Sequence, residues 1–107
     1  MEARLRQALA RAEEVAKALA DPSIASDPGK LRGLGREHTR LAPVVQAAER
    51  LQKLKSELEQ AREMAEEADP ELAAMARADL VRLPAVIELL EAGLHELLLP
   101  RDPLDDR

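Results

Sequence analysis

Ala76, Leu80, Leu83, Ile87, Leu90, Leu94 and Leu97 follow one another at alternating spacings of four and three. Nothing else in the chain narrows its fold so far. Apolar side chains at that period lie along one side of a helix, and such a seam is stable only against other helices. Asp69 is placed to cap this helix, Pro70 suits its first turn, and Pro100 and Pro103 in the run LLLPRDPLDD end it. The spacing predicts a helix from about residue 70 to 98, followed by an acidic tail, Asp102 to Asp106, that reads as the start of a connection.

The earlier part of the chain repeats the pattern. Leu5, Ala8, Ala12, Val15 and Leu19 form a three-four stripe, with Glu2 to Arg6 and Glu13 to Lys17 one turn apart on its outside, so a first helix is predicted over about residues 2 to 20. Asp21-Pro22 stops it. Ser23 to Ser26 is a short connector whose one large apolar side chain, Ile24, is expected to tuck back against the helices, and Asp27-Pro28 opens the second helix with the chemistry of Asp69-Pro70.

That second helix is read from Gly29 to about Glu67. Leu31, Leu34, Leu41, Val45 and Ala48 hold one phase, and Leu51, Leu54, Leu58, Ala61 and Ala65 hold another, because Ala48 to Leu51 to Leu54 steps by three and three, which locally overwinds a coiled coil. Pro43 removes a backbone hydrogen bond, so a kink or short break is expected there. Gly33 and Gly35 weaken the first turns by about 1 kcal/mol each relative to alanine, which leaves Val44 to Glu67 as the robust part. In the third helix Pro84 is expected to bend the chain without dividing it, since the apolar phase passes through it unchanged. The connector at Ala68-Asp69 allows only a hairpin. The fold class is therefore all-α: three helices built on a long antiparallel, coiled-coil-like hairpin.

Composition agrees with that reading and limits function. With no Phe, Tyr or Trp among 107 residues, the core of this one small domain is aliphatic, and 35% charged residues with only four glycines suit exposed helices with narrow seams. A net charge of -5 argues against coating nucleic acid through overall charge and leaves room for a local basic patch. There is no cysteine, so no disulfide, thiol nucleophile or zinc-thiolate site, which suits a cytoplasmic protein. No apolar run approaches the roughly 20 residues that span a bilayer, and the charged first 20 residues do not read as a signal peptide.

No enzymatic chemistry is legible. His38 and His95 stand in no metal-ligand pattern, the glutamates from Glu57 to Glu67 fall on solvated positions around the seam, and Gly29, Gly33 and Gly35 lack the spacing of a phosphate loop. The reading is of a chain with no catalytic residue, metal, cofactor or small-molecule substrate. One cluster exceeds this background: Lys30, Arg32, Arg36 and Arg40 near the start of the second helix, the last three at intervals of four. They share one stripe, where positive charge opposes the helix dipole. They are candidates for contact with RNA phosphate or an acidic surface, against the alternative of a solvated basic face.

The order of signals also carries a resemblance. The run Leu19-Ala20-Asp21-Pro22-Ser23-Ile24-Ala25-Ser26-Asp27, then Lys30, Leu34, Arg36-Glu37, Leu41 and Pro43-Val44-Val45, resembles the N-terminal domain of bacterial class I peptide chain release factors. Asp69-Pro70-Glu71-Leu72, Met75-Ala76 and above all Leu97 to Asp106 are similar to the release factor 1 branch, which reads UAA and UAG; the branch reading UGA usually carries a tryptophan near Ile24 and lacks the Leu-Leu-Pro-x-Asp-Pro run. Pro84 and Gly93 stand outside the family pattern, which bears only on the straightness of the third helix. The resemblance implies a translation termination factor represented by residues 1–98, its N-terminal helical domain, with 99–107 as the start of a linker to a catalytic core. It implies a ribosomal partner, RNA and protein at the large-subunit stalk base, and a monomer. The Gly-Gly-Gln motif and the stop-codon tripeptide of that family do not occur in these 107 residues, so the sequence reads as part of a longer factor. The rival is an unrelated helical hairpin serving as a structural or dimerisation module.

Overall fold

The computed structural model describes residues 1–100. All regular structure among them is helical: α1 (Glu2–Leu19), α2 (Pro22–Ala25), α3 (Pro28–Met64) and α4 (Pro70–Leu98). The Asp102 to Asp106 tail, Pro103 and most of the linker expected from residue 99 lie outside the described residues.

Three of the four helices begin with the same two residues, Asp-Pro. Asp21 accepts the backbone N–H of Ser23 at 3.0 Å, Asp27 that of Lys30 at 3.2 Å, and Asp69 that of Glu71 at 2.9 Å. In each case the carboxylate takes an amide the helix cannot satisfy, while the proline spends none. The expected caps at Asp27 and Asp69 are both present. Asp21-Pro22 does more than stop α1. It starts the one-turn α2 inside the expected connector, and Ile24, half-buried, turns inward from it as expected.

The chain divides into two compact units, residues 1–46 with 95 onward, and residues 47–94. In the first, α1, α2, the start of α3 and the last turn of α4 enclose a small core in which Val15 is fully buried, Val44 is 5% exposed, and Leu5, Ala8, Ala12, Leu19, Leu34 and Leu41 are half-buried. In the second, the end of α3 and most of α4 run antiparallel across the connection 65–69. Their shared seam buries Leu51, Leu54, Ala61, Ala73, Ala76, Leu83, Ile87 and Leu94, with Lys55 and Glu91 bridging the pair at 3.8 Å. The buried spacing in α3, three from Leu51 to Leu54 and seven on to Ala61, is that of a regular heptad and does not mark the register step read from the sequence.

Some expectations needed adjustment. The break at Pro43 does not occur: α3 is one helix of 37 residues. Burial of Val44 on one side of the proline and partial burial of Leu41 on the other hold the backbone where a single hydrogen bond is missing. α4 runs undivided through Pro84, as expected, flanked by fully buried Leu83. The helix ends at Met64, and Ala65 to Glu67 turn away from it. Val44 takes the buried place that the seam assigned to Val45, and Leu97, assigned to the α4 seam, is 50% exposed.

Candidate nucleic-acid interface

Asp27 and Pro28 fix where α3 begins, and with it the direction of the residues that follow. Arg32, Arg36 and Arg40, at intervals of four, lie along one side of its first turns over about 12 Å. All three are exposed, as is Lys30 in the first turn. The first turn of α3 holds no acidic residue, so only the Asp27 cap answers the dipole there, and the cations act against it. A local rule broken without local compensation is where a binding role is to be sought.

Glu37, next to Arg36, is the natural counter-charge for this stripe. It is engaged elsewhere. Arg11 of α1 donates from Nη2 to Glu37 Oε1 at 2.8 Å and from Nε to Oε2, and from Nη1 to Glu14 at 3.1 Å. The hydrogen bonds from Arg11 hold the Glu37 carboxyl below its ordinary value, with burial opposing and the charges of Arg11 and Arg40 adding to the effect. The same hydrogen bonds raise Arg11. The fork between α1 and α3 thus consumes Glu37, and among the described residues Lys30, Arg32, Arg36 and Arg40 have no carboxylate oxygen within 4.0 Å.

The structure adds one residue that sequence reasoning missed. An open groove in the first unit, about 790 Å³, is lined by Arg40 from α3 and by Arg4 from α1 over an apolar floor that includes Leu41, Val44 and Leu98. Arg4 also has no carboxylate partner among the described residues; its Nη1 lies 3.5 Å from the Leu98 carbonyl at the end of α4. The row of free cations therefore ends beside a fifth one from another helix. No sequence spacing relates residues 4 and 40, so only the fold could show it.

Charge is distributed in the same sense. The first unit, residues 1–46 with 95 onward, carries ten Lys and Arg against ten Asp and Glu, a net of 0; residues 47–94 carry six against eleven, a net of -5. His38 and His95 are both exposed, and no group of three or more metal-ligating side chains exists among the described residues. No helix among them is long and apolar enough to cross a membrane.

The family model of the PCRF domain matches residues 8–107. The chain belongs to the PCRF-domain family. This domain is the N-terminal domain of class I peptide chain release factors, so the chain is a release-factor region whose setting is translation termination at the ribosome. The match removes the reading of an unrelated hairpin module. No solved structure matches the chain.

Proposed function

We propose that this PCRF domain is the ribosome-facing N-terminal part, residues 1–98, of a monomeric, cytoplasmic release factor of the UAA/UAG type, and that it approaches the large-subunit stalk base with Lys30, Arg32, Arg36 and Arg40 turned toward ribosomal RNA. The observation that carries the RNA contact is the engagement of Glu37 by Arg11, which leaves Arg32, Arg36 and Arg40 without an ion-pair partner among the described residues. A stripe of that kind fits a row of phosphates, the positioning contact that needs no base-specific geometry. The codon type rests on two features of the sequence: Ile24 at the place of the sister branch's tryptophan, and the Leu97 to Asp106 run. Peptidyl-tRNA hydrolysis and codon reading belong, on this proposal, to other domains of the factor.

The test is ribosome affinity across a salt series. Each phosphate-engaged cation contributes about 0.9 to the slope of log K against log salt on a duplex and about 0.7 on a single strand. Arg32→Gln, Arg36→Gln and Arg40→Gln together should weaken binding and flatten the slope by about 2 or more. A parental slope in the triple variant would leave the stripe as a solvated face.

A further inference from the structure

α4 is apolar on two opposite sides. Its inner seam, from Ala73 to Leu94, fills the core of the second unit. Half a turn away, Ala74, Ala78, Val81, Ala85, Leu89 and Ala92 succeed one another at spacings of four, three, four, four and three, which makes a second helical stripe facing solvent. The three most exposed large apolar side chains all stand on or beside it: Val81 at 79%, Leu89 at 76% and Met75 at 67%. They fall within fifteen residues, about 21 Å of helix. A helix apolar all round is ordinarily buried, and a continuous apolar face left in water marks a contact surface.

We propose that this outer face of α4 docks an amphipathic helix of a partner protein whose edges carry Lys and Arg. It is a surface distinct from the arginine stripe. Ala85 between Val81 and Leu89, with Ala74, Ala78 and Ala92 beyond them, keeps the face low, which admits the backbone of a second helix at the short end of the usual 8 to 10 Å axis separation. Charge selects among occupants. The unit carries a net of -5, and the carboxylates bordering the stripe, Glu71 and Glu88, are unpaired among the described residues; Arg82 is answered by Asp79 at 3.2 Å, and Arg77 is the one free cation alongside. A second copy would bring -5 against -5, and nucleic acid would bring phosphate to an acidic unit. A helix with basic edges brings the opposite sign to the same apolar centre.

Three synthetic helical peptides of about 20 residues provide the probes: a Leu/Ala stripe edged with Lys, the same stripe edged with Glu, and the Lys peptide with its order scrambled. Binding to the chain is read by fluorescence anisotropy, with sedimentation of the chain alone as a companion measurement. The Lys-edged peptide should bind at least about tenfold tighter than either of the others. The double variant Val81→Gln, Leu89→Gln should lose about tenfold or more of that affinity, the loss expected from two uncovered aliphatic side chains, at an unchanged melting temperature. Equal binding of the scrambled or Glu-edged peptide, no binding of the Lys-edged peptide, or parental affinity in the double variant would overturn the proposal. So would self-association of the chain that the same two substitutions abolish, since the occupant would then be a second copy.

Discussion

The two units of this chain are made of the same helices and held by different means. Residues 47–94 contain eight of the ten buried apolar side chains, arranged as one continuous seam between α3 and α4. Residues 1–46 contain the other two, Val15 and Val44, and rely more on polar fixtures: two Asp-Pro caps and the fork of Arg11 over Glu37 and Glu14. The difference follows from spacing. A long uninterrupted heptad pattern buries area cheaply, whereas the segment with Gly29, Gly33, Gly35, Pro22 and Pro28 has short stripes and must fix its helices by their ends. The unit with less core also carries, among the described residues, the one stripe of three unpaired arginines at intervals of four, Arg32, Arg36 and Arg40.

Substitutions in the two cores should separate most widely. Leu83→Ala removes a fully buried side chain from the seam of the second unit and should cost about 2 to 5 kcal/mol. Val15→Ala, equally buried in the first unit but smaller, should cost about 1.5 to 2.5 kcal/mol. Chemical denaturation followed by circular dichroism reads both. A larger loss at Val15 than at Leu83 would reverse the comparison. Loss of a helix cap comes next: Asp69→Ala and Asp27→Ala should each cost about 1 kcal/mol, the common value for an N-cap. Equal costs would show that the caps act locally whichever unit they serve.

Acid should act on the first unit before the second. The Glu37 carboxyl sits below its ordinary value in the folded chain because Arg11 donates to it, so the stabilisation is present above the unfolded value near 4.5 and is lost as pH falls through the folded one. Melting at pH 7 and at pH 3 should show a stability drop that Glu37→Gln diminishes. An identical pH dependence in that variant would remove the fork from the account. The effect should be smaller than the cap losses, because the pair touches solvent.

The sequence was most legible where one rule acted alone. The α4 limits, Pro70 and Leu98, could be read from a heptad stripe bounded by an Asp-Pro cap and a terminal proline. Pro43 does not break α3, because a missing hydrogen bond is a local signal, while the burial of Val44 that outweighs it depends on α1 and the end of α4 arriving at the same place. α2 escaped notice although its Asp21-Pro22 start matches Asp27-Pro28: a four-residue helix has no period to detect. At the candidate site the stripe of Arg32, Arg36 and Arg40 was visible as an interval of four. The withdrawal of Glu37 was not, since Arg11 lies 26 residues away, and neither was the arrival of Arg4 beside Arg40.

On the proposed function, position and not net charge turns the first unit toward the ribosome. Two charge-matched variants test it directly: Arg32→Glu, Arg36→Glu, Arg40→Glu in the first unit, and Arg50→Glu, Lys53→Glu, Arg77→Glu in the second, where those three cations also lack ion-pair partners among the described residues. Both change the chain by the same amount of charge, and single exposed positions of this kind usually shift stability by under about 0.5 kcal/mol. Ribosome affinity at fixed low salt should fall by at least about tenfold for the first variant and stay within about threefold of the parent for the second. Equal losses in the two would mean that the ribosome senses only overall charge, and the assignment of the interface to Arg32, Arg36 and Arg40 would be wrong.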